Sequence, residues 1–116
     1  MLNDLNKGVE VDMEQRYSQM TEHELRTEIA ELKVKAQKAE QMGIVNEYAV
    51  HERKMAMAKA YLMNPDDFKP GETYRFSGEP DVTFTISYMN GVFAWGTRTG
   101  SRQEEAVPIS LLEKKE

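Results

Sequence analysis

The residues with the most scope for chemistry are the two histidines of the chain, and each is followed by a glutamate. His51-Glu52 forms half of the H-E-x-x-H motif of zinc peptidases, but Met55 stands where that motif needs its second histidine. His23 belongs to another predicted helix, and in an antiparallel hairpin the two imidazoles would lie roughly 20 Å apart at 1.5 Å per residue. The pattern therefore predicts no metal site. His51 is expected to be a hydrogen-bonded histidine between two helices.

Serines, carboxylates and one glycine-containing loop provide no further catalytic pattern. No serine stands in the G-x-S-x-G setting of an activated nucleophile. The loop over residues 96–101 lacks the lysine and the following helix of a phosphate-binding loop. The carboxylates of the first predicted helix alternate with lysines, which is typical of a solvated face and not of an acid–base pair. We therefore expect a protein that is not an enzyme and that holds no cofactor.

The composition excludes further classes of function. The 116 residues carry 15 basic and 20 acidic side chains, and this net charge of −5 provides no general attraction to nucleic acids or anionic membranes. Cysteine is absent, which removes disulfides, zinc thiolate sites and cysteine nucleophiles. The first residues lack the pattern of a signal peptide, and no apolar run approaches the roughly 20 residues that span a bilayer. The expected location is the cytoplasm, away from membranes.

The first half of the chain has the pattern of a helical hairpin. Residues 1–16 show no sustained periodicity and are expected to form a loose arm, with the hairpin over residues 17–65. Thr21 and Glu24 form a capping box, and apolar residues then recur at spacings of three and four. Gly43 is a typical end for this first helix. Its single apolar stripe predicts one narrow buried face.

The second predicted helix is apolar on three sides, which predicts that it is buried on most sides. It ends before Pro65, because the residue preceding a proline avoids the helical region. One neighbouring helix cannot cover three apolar sides, so part of this surface is a candidate for binding a partner. The residues assigned to that candidate surface are Val50, Met57 and Tyr61.

Residues 66–116 have the pattern of a small β-barrel. Asn90-Gly91 lies between two alternating apolar runs, which predicts a type I′ hairpin with Tyr88 opposite Phe93. This register places six residues on one inward face, namely Val82, Phe84, Ile86, Tyr88, Phe93 and Trp95. Replacing Trp95 by alanine would then cost about 3–5 kcal/mol, because it would leave a cavity in a small core. Gly96 is expected to mark a bend or a bulge.

A register displaced by one residue would reverse this arrangement. It would bury Val92 and Ala94 and expose Phe93 and Trp95, so that the aromatic face would become a binding surface. In either register, an SH3-like barrel is the economical way to close several short, coiled strands. The predicted fold class is therefore α+β, with an antiparallel helical hairpin followed by an SH3-like barrel.

Five stretches of the chain resemble the YfhH-like family, small uncharacterised proteins of Bacillus and related Firmicutes. They are residues 16–21, 62–65, 70–74, 88–96 and 104–110, and the hairpin string 88–96 is the most specific of them. The resemblance covers about residues 13–116, so that the first twelve residues are an extension upstream of the usual start. It implies a helical hairpin followed by an SH3-like barrel. It implies no activity, cofactor or catalytic residue.

These observations leave two hypotheses for function. The leading one is a non-enzymatic protein-interaction module that binds an unknown protein partner or a second copy of itself. The alternative is a protein associated with nucleic acid or the ribosome, although the acidic isoelectric point disfavours it. Its candidate contacts form the only local basic cluster that the sequence suggests, which is Arg75, Arg98 and Arg102.

Overall fold

The computed structural model describes residues 16–114. The predicted N-terminal arm lies outside these residues except for Arg16, which is helical. The chain divides into two compact units, of which the first ends at Leu62 and the second begins at Met63. Among the described residues, no helix combines the length and the apolar character needed to cross a bilayer.

The first unit contains two helices, α1 (Glu22–Gln41) and α2 (Val45–Ala60). The capping box predicted at the start of α1 is confirmed. The backbone N–H of Glu24 donates to the Thr21 hydroxyl at 3.1 Å, and the Glu24 carboxylate accepts from the Thr21 N–H at 2.9 Å. This second hydrogen bond lowers the pKa of Glu24, because it favours the ionised carboxylate.

Helix α1 buries one narrow stripe, as its periodicity predicts. The buried residues of this helix are Leu25, Leu32, Ala36 and Ala39. Leu32 and Ala36 pack with Met55 of α2, and Ile29 and Tyr48 lie at the edge of this cluster. The small side chains of the stripe let the two helices approach closely.

Helix α2 is buried only in its second half, so the prediction that it is buried on most sides is wrong for its first turns. Val45 is 74% exposed and Val50 is 38% exposed. The buried residues of α2 are Met55, Met57, Ala58 and Ala60. The physical reason is that, within this unit, the tip of a two-helix hairpin has only one helix as a neighbour.

Tyr17 anchors the short helical segment that precedes α1. Its side chain is fully buried, and its hydroxyl donates to a carboxylate oxygen of Glu28 at 3.1 Å. Arg16 donates to the same oxygen at 2.9 Å. Burial, and then the adjacent negative charge of Glu28, raise the pKa of Tyr17, so the hydroxyl stays protonated and keeps donating at neutral pH.

The second unit is an antiparallel sheet of five strands. The strands are β1 (Thr73–Phe76), β2 (Glu79–Asn90), β3 (Phe93–Arg98), β4 (Glu105–Pro108) and β5 (Leu112–Lys114), in the order β4-β3-β2-β1-β5. A short 3-10 turn over Ile109–Leu111 connects β4 to β5. The α+β class is therefore confirmed. Strands β4 and β5 lie at opposite edges of an open sheet, so the closed SH3-like barrel is not confirmed.

The hairpin between β2 and β3 has a different register from the predicted one. Its two-residue loop is Gly91-Val92, with Asn90 opposite Phe93 and Tyr88 opposite Trp95. Gly91 has a φ of +59°, and no described residue other than glycine has a positive φ. Glycine at the first central position is the requirement of a type II′ turn. The predicted type I′ turn at Asn90-Gly91 is therefore wrong by one residue.

A β-bulge at Ser87 changes which side chains of β2 face the core. Ile86 pairs with Gly96 and Tyr88 pairs with Trp95, so Ser87 is the extra residue between the two pairs. Because an extra residue reverses the alternation of side chains, Ile86 points inward and Tyr88 points outward. This confirms the irregularity predicted near Gly96.

The inward face of the sheet therefore carries different residues of β3 from those expected. Val92 and Ala94 are buried at 7% and 0% exposure, whereas Phe93 and Trp95 are half-buried on the other face. The buried aromatic residues of the sheet are Tyr74, Phe76 and Phe84, and the rings of Phe76 and Phe84 meet edge to face at 5.7 Å. The prediction that Tyr88, Phe93 and Trp95 belong to the core is wrong.

A substitution at Gly96 tests this arrangement of the strands, because a Cβ atom at that position would lie 1.9 Å from the backbone oxygen of Thr85. We expect Gly96→Ala to lower the free energy of unfolding by about 3 kcal/mol, the upper end of the usual cost of overpacking. Gly100→Ala is the control, since it has a φ of +79° but open space around an added Cβ. It should cost about 1–2 kcal/mol. Urea denaturation measures both, and equal losses would contradict the close approach at Gly96.

Candidate binding surface on the outer face of the sheet

The outer face of strands β2, β3 and β4 carries a cluster of apolar side chains, which we call the aromatic patch. Its members are Tyr88, Phe93, Trp95, Ala106 and Pro108. The pairing of the strands places them in two rows. Tyr88, Trp95 and Ala106 lie opposite one another in the first row, and Phe93 and Pro108 lie opposite each other in the second.

Tyr88 and Trp95 form the centre of the aromatic patch. Their ring centroids lie 5.7 Å apart, and their ring planes are within 6° of parallel. Tyr88 is 46% exposed, and Trp95 is half-buried. A cross-strand aromatic pair of this kind stabilises the hairpin by about 0.5–1.5 kcal/mol. The pair also includes two hydrogen-bond donors, the tyrosine O–H and the indole N–H.

The residues of β2 and β3 that lie beside the aromatic patch are polar but uncharged. Thr85 lies opposite Thr97 in the next row of pairs along the same face. The hydroxyl of Thr85 also exchanges a hydrogen bond with that of Thr73 at 2.9 Å. Asn90 lies opposite Phe93 at the hairpin end. The aromatic patch and the residues paired with it therefore carry no formal charge.

The three arginines of the predicted basic cluster lie in different settings. Arg98 pairs with inward-facing Phe84 at the end of β3, and its guanidinium lies 4.3 Å from the centroid of the Phe76 ring. Arg75 pairs with Thr83 on the outer face of β1. Its Nε atom is buried and has no hydrogen-bond partner among residues 16–114. Arg102 is exposed in the loop between β3 and β4.

The positive charge of Arg98 is already compensated by two carboxylates. Its Nε atom donates to Glu105 at 3.0 Å, and its Nη1 atom lies 3.9 Å from Glu79. All three side chains are partly exposed, so the ion pairs are screened by solvent and contribute little to stability. They nevertheless reduce the attraction that Arg98 could exert on a phosphate.

The apolar residues assigned to α2 do not share one exposed surface. Val50 is exposed and Tyr61 is half-buried, but Met57 is only 8% exposed. Met57 lies between the other two along the helix, so its burial interrupts the surface that the sequence suggests. The first turns of α2, around Val45, expose more apolar area than the predicted residues do.

The structure shows the setting of His51, one of the two histidines considered for a metal site. The Nδ1 atom of His51 is buried and has no hydrogen-bond partner among the described residues, so the predicted interhelical hydrogen bond is not seen at that atom. Within residues 16–114, no group of three or more His, Cys, Asp or Glu side chains is placed to hold a metal ion.

A groove of about 500 Å³ runs between α1 and α2 in the first unit. Its floor includes Ala36, Tyr48 and Met55, and its rim carries charges of both signs, such as Lys33 and Glu52. A hydrogen bond to Glu52 raises the pKa of Tyr48, which keeps that hydroxyl protonated. The volume suits a small molecule, and the lining combines apolar side chains with charged ones.

Residues 15–113 match the family model described as a protein of unknown function, DUF1811. The chain belongs to the DUF1811 family. It is 69% identical over 105 residues to the uncharacterized protein YfhH of Bacillus subtilis (strain 168), and the match covers 90% of this chain and all of that relative. The resemblance seen in the sequence is thus confirmed. Neither description names an activity, so inferences about function rest on the geometry.

The hairpin string 88–96, the most specific part of the resemblance to this family, also supplies most of the aromatic patch. The sequence alone predicts that its aromatic residues belong to the core, because an uninterrupted alternation from Phe84 places Tyr88 on the same face. Gly96 was the available signal, since a glycine inside a strand often marks a bulge or a close backbone approach. No residue type at or beside Ser87 indicates from the sequence that the bulge lies there.

The two faces of the hairpin should respond differently to truncation. Phe84 is fully buried, so we expect Phe84→Ala to lower the free energy of unfolding by about 3–5 kcal/mol. Trp95 is half-buried on the outer face, so Trp95→Ala should cost only about 1–2 kcal/mol, well below the value expected for a core residue. Urea denaturation followed by far-ultraviolet circular dichroism measures both variants. A cost for Trp95→Ala as large as that for Phe84→Ala would restore Trp95 to the core.

Proposed function

We propose that this protein is a non-enzymatic, cytoplasmic protein-interaction module and that the aromatic patch is its binding surface. The observation that supports this is a contiguous set of Tyr88, Phe93 and Trp95 on adjacent strands, facing away from the core of the sheet. Tyrosine and tryptophan are the residues most enriched among the energetic centres of protein interfaces. These side chains combine a large apolar area with a polar atom that forms hydrogen bonds to water before a partner binds.

The raised pKa values of two tyrosines, Tyr17 and Tyr74, come from packing and not from a site that admits substrate. Catalytic groups combine a perturbed pKa with a pocket that admits substrate. The largest change belongs to Tyr17, and its side chain is fully buried against Glu28. Burial likewise raises the pKa of Tyr74, whose hydroxyl accepts from the Lys69 N–H at 2.9 Å. These are packing interactions within the fold.

An SH3-like arrangement of the second unit, in which β4 remains an edge strand, would suit this role and is part of the proposal. The 3-10 turn between β4 and β5 is a feature that such a barrel would have. The aromatic patch supports the proposed function and the fold alone does not, since small barrels serve many unrelated functions.

Association with nucleic acid ranks second. Aromatic side chains on a sheet can stack on bases, but such surfaces also need cations that follow the phosphate backbone. The net charge of the chain is −5, and Arg98 contacts Glu105 and Glu79. The uncharged surroundings of Tyr88 and Trp95 favour a protein partner.

Capture from an extract of Bacillus subtilis, which encodes the 69% identical relative, tests the proposal. The tagged chain is compared with Tyr88→Ala, and Val45→Ala serves as a matched loss of an exposed apolar side chain in the first unit. We expect Tyr88→Ala to reduce the recovery of a bound protein by about tenfold, as the loss of an interface anchor does. Val45→Ala and nuclease treatment should leave recovery unchanged.

Two outcomes of the capture experiment would contradict the proposal. Equal recovery with Tyr88→Ala would show that the aromatic patch is not the binding surface. Loss of recovery after nuclease treatment would show that nucleic acid mediates the association, and the alternative function would replace the proposed one.

A further inference from the structure

Strand β4 forms one edge of the sheet beside the aromatic patch, and its backbone limits what can bind there. The Ile109 N–H donates to the Val92 oxygen at 3.0 Å, which makes these two residues a hydrogen-bonded pair. Because such pairs alternate along an antiparallel ladder, the backbone groups of Val107 point toward β3, and those of Ala106 and Pro108 point away from it. Proline has no N–H, so this edge offers few donors to an added strand.

A partner at this edge must therefore be recognised mainly through side chains. Addition of a β-strand depends on a continuous row of backbone hydrogen bonds. At the edge of β4, Pro108 interrupts the row of backbone hydrogen-bond donors. The outer face of the sheet, in contrast, presents the side chains of Tyr88, Trp95 and Phe93. Recognition by an aromatic surface needs no backbone pairing.

The charge around the aromatic patch restricts the chemistry of the partner further. Tyr88, Trp95 and Ala106 form one row, and Asn90, Phe93 and Pro108 form the other, without a charged side chain in either. A phosphate chain or a strongly charged peptide would find no counter-charge within these rows. The complementary partner is an uncharged segment.

Three adjacent strands are wide enough to hold one turn of a polyproline II helix. Strands β2, β3 and β4 span two inter-strand spacings, roughly 10 Å. A polyproline II helix rises about 3.1 Å per residue with three residues per turn, roughly 9 Å in all. One turn laid across the strands would contact the first row at both ends. Its carbonyl groups could accept from the Tyr88 hydroxyl and the Trp95 indole N–H.

We infer that the aromatic patch binds an uncharged, proline-rich peptide segment in the polyproline II conformation, lying across β2, β3 and β4. Proline residues suit this site because they have no N–H to satisfy and are already ordered before binding. The inference rests on the proposed function and specifies the chemistry of its partner.

The single tryptophan of the chain, Trp95, allows a direct test in the full-length protein. A peptide of about ten prolines, long enough for three turns, is titrated while the emission of Trp95 is recorded. A glycine–serine peptide of equal length and a uridine oligonucleotide serve as comparison ligands. We expect a saturable change in emission with the proline peptide alone, confirmed by calorimetry.

Variants of Tyr88 connect the signal to the aromatic patch. Tyr88→Ala should weaken binding of the proline peptide by about tenfold, because it removes half of the central aromatic pair. Tyr88→Phe keeps the ring and should weaken binding less, and Val45→Ala should leave it unchanged. Circular dichroism establishes that each variant is folded, and Tyr88→Phe preserves the comparison if Tyr88→Ala is not.

The outcomes separate this inference from the proposed function. No response to the proline peptide at millimolar concentration, or an equal response to the glycine–serine peptide, overturns the inference. If capture of a protein still depends on Tyr88 in that case, the proposed function stands with a different partner chemistry. A response to the oligonucleotide alone overturns both.

Discussion

The close approach of strands β2 and β3 at Gly96 is the constraint on which the arrangement of the second unit depends. A side chain at this position would collide with the Thr85 oxygen, so only a glycine lets β3 pass so near the start of the bulge. The bulge at Ser87 then reverses the alternation of β2. As a consequence, Phe84 and Ile86 pack inward while Tyr88 points outward. The one extra residue at Ser87 therefore determines that Tyr88 belongs to the aromatic patch and not to the core.

The apolar residues of the hairpin are therefore divided between the core and the outer face of the sheet. The core receives compact groups such as Ile86 and Ala94, which are buried together with the aromatic residues Phe76 and Phe84. The larger indole of Trp95 is placed on the outer face beside Tyr88. The small side chain of Ala94 occupies the inward position on β3. An indole at an inward position would need more volume than a closely packed core of this size provides. The same packing constraint thus accounts for a dense interior and for aromatic side chains on the outer face.

Local signals predicted the helices and strands of both units, but not the exposure of the first turns of α2 or the register of the hairpin in the second unit. The capping box of Thr21 and Glu24 involves neighbours within one turn, and its hydrogen bonds follow from residue type alone. The register of the hairpin depends on which residue of Asn90-Gly91-Val92 begins the loop, and a displacement by one residue moves every side chain to the other face. The environment of Arg98 depends on Glu79 and Glu105 from neighbouring strands, which no spacing along the chain indicates. Sequence therefore predicted which elements form, but not which face each aromatic residue occupies.

The most direct test of this account is the cross-strand register of the hairpin in solution, measured by nuclear Overhauser effects between backbone protons. The structure predicts contacts that place Met89 opposite Ala94 and Tyr88 opposite Trp95, with Ser87 unpaired. Contacts that place Tyr88 opposite Phe93 and Ile86 opposite Trp95 would contradict it. That result would return the aromatic side chains to the core and remove the surface on which the proposed function depends.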